Sequence, residues 1–458
     1  MKRRHSLSSH APKEERAAFP RPEVCLTKRE AVAQGSVEEE QGMDMTGTAE
    51  GRRESHRTKR LRIMHIVNSG FGRNFSGQTH YLFSLLSGWK DEDVVLDIWG
   101  SSVRPLNIGS GSTDYKLASQ LWSPGRKSSS GMDKLRGYIR QFLFLATHAR
   151  SFDMAHFHSP GWGSLLSPLL LHLLGKKAVF TSSLYGSDNP TAVKAAKRGR
   201  LAVRFLRGFD GIVALSPLLA EDFRAFGSKN VACLPNFLAL PSLERGRDAG
   251  VREKLRTELG IPLDAVVLLF VGAVIKRKGI DLLAESFARL AQGHSDLWLI
   301  AVGPNGRKEV THHEEELVRA VNDRLDTACA SRRVIWTGTV RDKNALVQYY
   351  SAADVFVLPT RAEGLANVLI EASAAGLPIV ATDLPGITDV PVADGETGFL
   401  VPVDDVDGLT QAIERLVTDS TLRTKMGQAA RIRSKQFGFE DYHRGLKTFY
   451  RKVAGLSL

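Results

Sequence analysis

Two glutamates flank the start of a predicted helix in the segment EGLANVLIEASAAGLP. Glu363 stands in a short polar loop after the apolar strand ADVFVLPT, and Glu371 follows within the helix, eight residues after Glu363 and seven after Gly364. Seven residues are about two helical turns, so the spacing places Glu371 on the same stripe as Gly364, roughly 10 Å along the axis. Carboxylates accept hydrogen bonds from hydroxyl groups, and the free amides of a first helical turn favour an anion.

This arrangement suits an elongated ligand with hydroxyl groups at both ends and a diphosphate in the middle, which describes a nucleotide-sugar. Gly364 would let the backbone approach that ligand closely. The alternative is a capped, solvated helix, and two glutamates alone favour that simpler interpretation because glutamate is a common residue. The residues around the pair decide between the two interpretations.

The whole stretch resembles the signature of the large family of family-4 retaining glycosyltransferases, which are proteins of the GT-B type. That signature has Glu-Gly, an apolar residue, often Asn, a second Glu-Ala and a later Gly-x-Pro. The matching residues are Glu363, Gly364, Leu365, Asn367, Glu371, Ala372, Gly376 and Pro378. The segments FVGAVIKRKG, RVIWTGTV and ADGETGFLVPVDD also match, so the resemblance covers roughly residues 61–440.

Strand and helix patterns alternate along the chain, which predicts parallel sheets covered by helices on both faces. The expected fold class is α/β, with two Rossmann-like domains facing a cleft, where such sheets bind ligands. We expect a disordered extension over residues 1–59, an acceptor domain over 60–243, a nucleotide-sugar domain over 251–435 and a C-terminal helix over 436–458. The polar stretch 244–250 is interpreted as the linker between the domains.

The resemblance assigns roles to residues in the second domain. It implies that Lys278 and the amides of Leu365 and Ala366 hold the diphosphate. It also implies that Glu371 binds the ribose and that Glu363 acts as a catalytic residue beside the donor sugar. The donor-binding residues predicted in this way are Gly77, Gly272, Lys278, Gly364, Leu365, Ala366 and Glu371.

The chain departs from the family pattern in the loop FVGAVIKRKG. The family has an arginine beside the lysine as a second cation on the diphosphate, and this chain has Ala273 at that position. Lys276 and Arg277 are the candidate substitutes, although neither sits at the matching position. The alternative for this basic cluster is a solvated loop.

A second departure lies in the acceptor domain, within AVFTSSLYGSD. The family commonly places a histidine before the glycine of this motif, next to the reacting sugar, and this chain has Tyr185 there. Asp188 is the expected catalytic or acceptor-contacting polar residue. His156 and His158, in MAHFHSPGWG, match a frequent His-x-His pattern of the family, and a structural role is the more common one for such residues.

The resemblance predicts a hexosyl- or related glycosyltransferase that moves a sugar from a nucleotide-sugar to a glycan, lipid-linked or small-molecule acceptor, as in polysaccharide or glycolipid biosynthesis. One alternative is a nucleotide-sugar epimerase or hydrolase. Another, favoured by Ala273 and Tyr185, is a catalytically weak GT-B protein that binds nucleotide-sugar. We expect no metal and no cofactor, because the acidic run Asp404–Asp407 follows a strand and is interpreted as a helix cap.

The composition limits which binding partners and which cellular compartment are expected for this protein. The net charge is +12, and about +11 of it falls within residues 60–250. No zinc-ligand or RNA-binding motif is present, so nucleic acid is not expected. The basic, amphipathic stretch TAVKAAKRGRLAVRFLRGF instead suggests contact with an anionic membrane, with an ordinary surface helix as the equal alternative. Three widely spaced cysteines and the lack of a secretory signal predict a cytoplasmic protein, and the basic stretch adds peripheral attachment to the inner membrane face as the alternative to a free one.

Overall fold

Strands and helices alternate through the described part of the chain. The computed structural model describes residues 60–67, 77–100, 131–158, 166–182, 206–245, 248–304 and 312–457. The elements up to residue 258 are β1 (Leu61–Val67), α1 (Gly77–Gly88), β2 (Val94–Gly100), α2 (Gly131–Thr147), β3 (Met154–His158), α3 (Ser167–Leu173), β4 (Lys177–Ser182), β5 (Gly211–Ala214), α4 (Pro217–Ala225), β6 (Val231–Cys233) and α5 (Ala249–Glu258). The remaining elements are β7 (Val266–Val271), α6 (Ile280–Gly293), β8 (Leu297–Val302), α7 (His312–Thr327), β9 (Val334–Gly338), α8 (Lys343–Ala352), β10 (Val355–Leu358), α9 (Asn367–Ala374), β11 (Ile379–Thr382), β12 (Gly398–Val401), α10 (Val406–Thr418), α11 (Ser420–Ser434) and α12 (Phe439–Val453).

The strands form two parallel sheets of six, in the orders β2-β1-β3-β4-β5-β6 and β12-β11-β10-β7-β8-β9. Continuous apolar runs such as VVLLFV in β7 are buried along their whole length, because helices cover both faces of each sheet. The predicted α/β fold with two Rossmann-like sheets is therefore confirmed. The exact limits of the two domains stay a prediction.

Three expectations about local structure can be compared with the described residues. The helix expected near Leu365 begins two residues later, at Asn367. The expected linker 244–250 already contains the start of α5, which Asp248 caps by accepting from the Val251 amide; the exposed, charged surface of this helix made it look like a loop. Within Asp404–Asp407, Asp405 caps α10 by accepting from the Gly408 amide at 2.8 Å, so the predicted helix cap is confirmed. Residues 1–59 and most of the basic stretch 191–209 lie outside the described residues.

The C-terminal helix α12 returns to the first sheet. Its buried residues Tyr442, Leu446, Phe449, Tyr450 and Val453 share a hydrophobic cluster with residues of β1, β2 and α1. The contact is close at Gly211 in β5, where a Cβ atom would lie 2.7 Å from Cζ of Phe449. Any larger residue at that position would push the helix away from the sheet. The core of the first sheet is thus completed by the end of the chain.

Three histidines are buried in this same core. The parallel register places His65 of β1 opposite His156 of β3, and Val67 opposite His158. All three are almost fully buried, with exposed fractions of 4% or less. Burial lowers the pKa of His65 and His156 well below the usual value and lowers the pKa of His158 to about 3. The three rings are therefore neutral at neutral pH.

No helix among the described residues is long and apolar enough to span a membrane. In the same part of the chain, Cys233 is buried and Cys329 is exposed, and both are free thiols.

The buried histidines predict loss of stability in mild acid. An unfolded histidine takes up a proton near pH 6.5, whereas these three do so only at lower pH. Each histidine therefore lowers the free energy of unfolding by about 1.4 kcal/mol per pH unit below about 6.5. Glu371 acts oppositely between about pH 4.5 and 7, because burial raises its pKa to about 7. From pH 7 to 5.5 we expect a net loss of about 2 kcal/mol, measured by urea unfolding.

His158→Gln should reduce the pH dependence of the unfolding free energy by the share of one histidine, about 1.4 kcal/mol per pH unit below about pH 6.5. His148→Gln is the matched control, because His148 is exposed, and it should leave the slope unchanged. Equal slopes for wild type and His158→Gln would show that His158 is not held neutral in the folded protein.

Candidate functional site

A cleft lies where the carboxyl ends of the strands in both sheets meet, the usual ligand position in α/β folds. Its volume is about 500 Å³, within the range of small-molecule sites. The first sheet contributes side chains from α1, β3, β4 and the segment after β6, and the second contributes the loops after β7, β8, β9 and β10. The lining residues used below are Tyr81, His158, Thr181, Asn236, Gly272, Arg277, Lys278, Lys343, Glu363, Leu365, Ala366, Asn367 and Glu371.

Close backbone packing shapes the loop between β7 and α6. Gly279 has a φ of +71°, and a Cβ atom there would lie 1.8 Å from the carbonyl oxygen of Pro359, which follows β10. The main-chain oxygen of Arg277 accepts from the amide of Arg361 at 2.7 Å and from Oγ1 of Thr360 at 3.0 Å. These contacts hold the basic turn 276–278 against the loop that carries Glu363.

Glu363 accepts hydrogen bonds from two of the three cations of that turn. Its Oε1 lies 2.5 Å from Nζ of Lys278 and 3.1 Å from Nη1 of Arg277, and it also accepts from Oγ1 of Thr360 at 3.1 Å. The carboxylate is only 6% exposed, so these charged and polar partners offset the cost of burying it. The cleft wall therefore presents a fixed carboxylate with two cations beside it.

Glu371 stands further along α9 and has a different environment. Its Oε2 accepts from the Tyr350 hydroxyl at 2.7 Å. Burial raises the pKa of Glu371 to about 7, while the Tyr350 hydrogen bond and the positive charge of Lys343 act in the other direction. Burial lowers the pKa of Lys343, and Glu371 opposes this. Glu371 can thus accept hydrogen bonds when ionised and donate one when protonated.

Two hydrogen bonds cross the cleft from one sheet's side to the other. Nδ2 of Asn236, in the segment after β6, donates to Oδ1 of Asn367 at 2.7 Å, at the start of α9. Nζ of Lys343, at the start of α8, donates to Oγ of Ser84 in α1 at 3.0 Å. Both contacts join side chains that line or border the cleft, so they fix its width at these points.

The structure brings most of the predicted donor-binding residues together. Gly272, Lys278, Leu365, Ala366, Glu363 and Glu371 all line the cleft. Gly364 is buried beside Glu363, and Gly77 begins α1. Asp188 and Tyr185 lie outside the described residues, so the role of Asp188 stays a prediction.

Sequence reasoning missed two groups that face Glu371. Tyr350 and Lys343 lie at opposite ends of α8, between the segments RVIWTGTV and ADVFVLPT. The Tyr350 hydroxyl donates to Glu371, and the positive charge of Lys343 acts on the same carboxylate. Their position seven residues apart on one helix was the available signal, since that spacing places both side chains on one face.

Known proteins resemble this chain in sequence and in fold. Residues 251–433 match the family model described as glycosyl transferases group 1. A D-inositol 3-phosphate glycosyltransferase of Thermobifida fusca is 30% identical over 321 residues, which is 66% of this chain and 70% of that protein. The chain spans about half the length of other curated relatives that it matches.

Solved structures share the fold. Sucrose-phosphate synthase from Thermosynechococcus elongatus superposes with a TM-score of 0.70 at 22% identity, covering 87% of this chain and all of that one. HepE of Anabaena, in complex with UDP, superposes with a TM-score of 0.65 at 16% identity, covering 86% of this chain and all of that one. At such identities the likeness concerns the fold, which is that of GT-B glycosyltransferases.

The match over residues 251–433 contains the cleft wall formed by Lys278, Glu363 and Glu371. The longer alignment with the Thermobifida protein extends the similarity over two thirds of that relative. The chain therefore belongs to the glycosyl transferases group 1 family.

Proposed function

We propose that this protein is a retaining glycosyltransferase that binds a nucleotide-sugar in the cleft and transfers the sugar to an acceptor held by the first domain. The observation that carries the proposal is the cleft wall itself. Lys278 and Arg277 lie beside Glu363, the first turn of α9 is adjacent, and Glu371 stands further along the same helix. Cations and helix amides suit a diphosphate, and the two carboxylates suit the hydroxyl groups at its ends.

In this proposal Lys278 and the amides of Leu365 and Ala366 bind the diphosphate, and Glu371 binds the ribose. Glu363 holds the donor sugar, and transfer depends on positioning and on stabilising the departing diphosphate. Arg277 is the second cation that the family pattern supplies from the position of Ala273. Arg277 donates to the same carboxylate as Lys278, which supports its role as the second cation. Lys276, in contrast, is exposed and lies outside the cleft lining.

The acceptor is proposed to be a hydroxyl-bearing sugar or polyol, free or lipid-linked. The Thermobifida relative is named for an inositol phosphate, which makes a phosphorylated polyol one candidate. Product analysis separates the transferase from its alternatives: an epimerase returns an altered nucleotide-sugar, a hydrolase returns free sugar, and a binding protein leaves the donor intact.

A second proposal concerns membrane attachment, for a face distinct from the basic stretch 191–209. We define the α2–α3 apolar face as Ile139, Leu143, Leu166, Leu169 and Leu173. Leu173 is 87% exposed and Leu143 58%, which is unusual for leucine in a folded domain. The two helices are joined by the hydrogen bond from Gln141 Nε2 to Ser167 Oγ at 2.9 Å, so their outer surfaces adjoin.

Basic residues accompany this face. Arg136 and Arg140 are exposed on α2, each three residues before an apolar position of the face, and Arg150 is exposed just after that helix. Apolar side chains with cations beside them complement a bilayer that contains anionic lipids. We therefore propose that the occupant is the anionic inner face of a membrane, where a lipid-linked acceptor would be reached.

Donor binding is predicted to depend on named side chains in the cleft. Lys278→Ala and Glu371→Ala should each weaken binding of the preferred nucleoside diphosphate by about 1.5 to 3 kcal/mol, because each removes a charged hydrogen-bonding group. Calorimetry with UDP, GDP and ADP measures this. Glu363→Ala should leave diphosphate binding nearly unchanged and abolish turnover.

Lys276→Ala is the matched control, since it removes a cation from the same turn but outside the cleft lining. Unchanged diphosphate affinity in both Lys278→Ala and Glu371→Ala would show that the nucleotide does not bind this wall.

Transfer is predicted to be independent of divalent metal, because Lys278, Arg277 and the start of α9 supply the positive charge for the diphosphate. Turnover should persist in excess EDTA. Complete loss of turnover that Mg²⁺ or Mn²⁺ restores would contradict this and point to a carboxylate as metal ligand.

Membrane attachment is predicted to depend on the α2–α3 apolar face. Wild type should sediment with vesicles of phosphatidylglycerol and phosphatidylcholine at low salt. The triple change Ile139→Ser, Leu143→Ser and Leu173→Ser should abolish sedimentation with the vesicles, because each apolar side chain that enters the bilayer contributes about 1.5 to 3 kcal/mol to binding. Ile432→Ser is the matched control, since Ile432 is 69% exposed on α11.

Equal sedimentation of wild type and the triple variant would remove the proposed face. A stable dimer without vesicles, lost in the triple variant, would identify a second copy as the occupant instead. Nucleotide binding should be the same in all these variants, which keeps this test independent of the cleft.

A further inference from the structure

A chain of hydrogen bonds runs through the buried histidines to the cleft. Thr181 Oγ1 lies 2.6 Å from His156 Nε2, and His156 Nδ1 lies 2.6 Å from the Tyr450 hydroxyl. That hydroxyl lies 3.4 Å from His65 Nε2, and His65 Nδ1 lies 2.7 Å from His158 Nε2. The chain thus links β1, β3 and β4 through one tyrosine of α12.

The two ends of this chain differ from its middle. His158 and Thr181 both line the cleft, whereas His65, His156 and Tyr450 are enclosed in the core. His158 is 4% exposed, and its Nδ1 has no hydrogen-bond partner among the described residues. A buried polar atom without a partner is costly, so a group in the cleft that bonds to it would be favoured.

Counting hydrogens shows that the chain has only two complete arrangements. A neutral imidazole has one N–H and one lone pair, and a hydroxyl has one hydrogen. If Thr181 donates to His156, every later group must donate onward, and His65, His156 and His158 all carry hydrogen on Nδ1. If His158 donates to His65, the direction reverses and all three carry hydrogen on Nε2.

The three histidines also lie close enough together to suggest a metal site. Five of their six ring nitrogens, however, have hydrogen-bond partners within this row of linked side chains. The 2.7 Å between His65 Nδ1 and His158 Nε2 is a hydrogen-bond distance, shorter than the roughly 3.3 Å between ligands of a tetrahedral zinc ion. The observed arrangement fits a hydrogen-bond chain better than a metal centre.

We infer that this hydrogen-bond chain forms a hydroxyl-binding subsite for the sugar acceptor. His158 Nδ1 contacts an acceptor hydroxyl, and His65, Tyr450 and His156 set the tautomer of His158. The inference rests on the proposed function for the identity of the ligand. Because the arrangement has two directions, His158 can present either a donor or an acceptor without becoming charged. A hydroxyl that donates to His158 Nδ1 would select hydrogen on Nε2 in all three histidines, and a hydroxyl that accepts from it would select hydrogen on Nδ1.

Nuclear magnetic resonance of the imidazole nitrogens tests the inference in the whole protein. Long-range ¹H–¹⁵N spectra at pH 7 should show His65, His156 and His158 in the same neutral tautomer. Tyr450→Phe removes the central hydroxyl and should uncouple His156 from the other two, with the tautomer ratio of His158 changing roughly five- to tenfold. Adding D-glucose as a hydroxyl-rich probe should shift the His156 resonances in wild type and not in Tyr450→Phe.

Tyr442→Phe is the matched control, because Tyr442 is another buried tyrosine of α12 whose hydroxyl contacts Tyr81 instead of a histidine. It should keep the shared tautomer. His65→Gln breaks the chain without changing α12, so it decides the question if Tyr450→Phe does not fold. Different tautomers within the wild-type trio, an unchanged trio in Tyr450→Phe, or nitrogen shifts typical of a bound metal would each overturn the inference. UDP binding in the same samples reports on the donor site separately.

Discussion

The candidate site depends on the close approach of two loop backbones at the ends of β7 and β10. The absence of a side chain at Gly279 lets the turn 276–278 lie against Pro359, where a Cβ atom would overlap the carbonyl oxygen. Only this approach brings Lys278 and Arg277 to within hydrogen-bond distance of Glu363. Gly303 meets Gly272 in a similar way on the other side of β7, with a virtual Cβ 1.9 Å from the Gly272 oxygen. The charged wall of the cleft is thus a consequence of backbone packing between neighbouring strands.

The first sheet depends on a long-range contact of another kind. Helix α12 follows the second sheet in sequence and yet completes the core of the first. It supplies Tyr450, which joins the histidines of β1 and β3. The cross-cleft bonds from Asn236 to Asn367 and from Lys343 to Ser84 add further links between the two sheets. A ligand that fills the cleft would therefore contact elements coupled in several places.

Much of this arrangement could be predicted from the sequence. Apolar strands such as β7 and β10 and their alternation with amphipathic helices predicted both sheets, because buried parallel strands have continuous apolar runs. The cleft-lining positions of Lys278, Leu365 and Ala366 were expected from the family resemblance. Those of Glu363 and Glu371 were expected also from their places before and within a helix that follows a strand. Apolar runs and motif spacings of this kind can be recognised directly in the sequence.

The rest required tertiary packing. The seven-residue spacing of Lys343 and Tyr350 places both on one face of α8, but it does not indicate that this face meets Glu371, which belongs to a separate element. The pairing of Arg277 with Glu363 follows from a turn whose direction the sequence does not specify. The histidine chain needs register between β1 and β3 and a tyrosine nearly 300 residues away, so neither the neutral state of His158 nor its partner could be inferred beforehand.

The central claim is that the cleft wall binds the diphosphate of a nucleotide-sugar. A crystal structure of the protein with its tightest-binding nucleoside diphosphate tests this most directly. The account predicts the diphosphate between Lys278 Nζ and the amides of Leu365 and Ala366, with the ribose hydroxyls on Glu371. A diphosphate bound elsewhere, or a ribose that leaves Glu371 without contact, would contradict it.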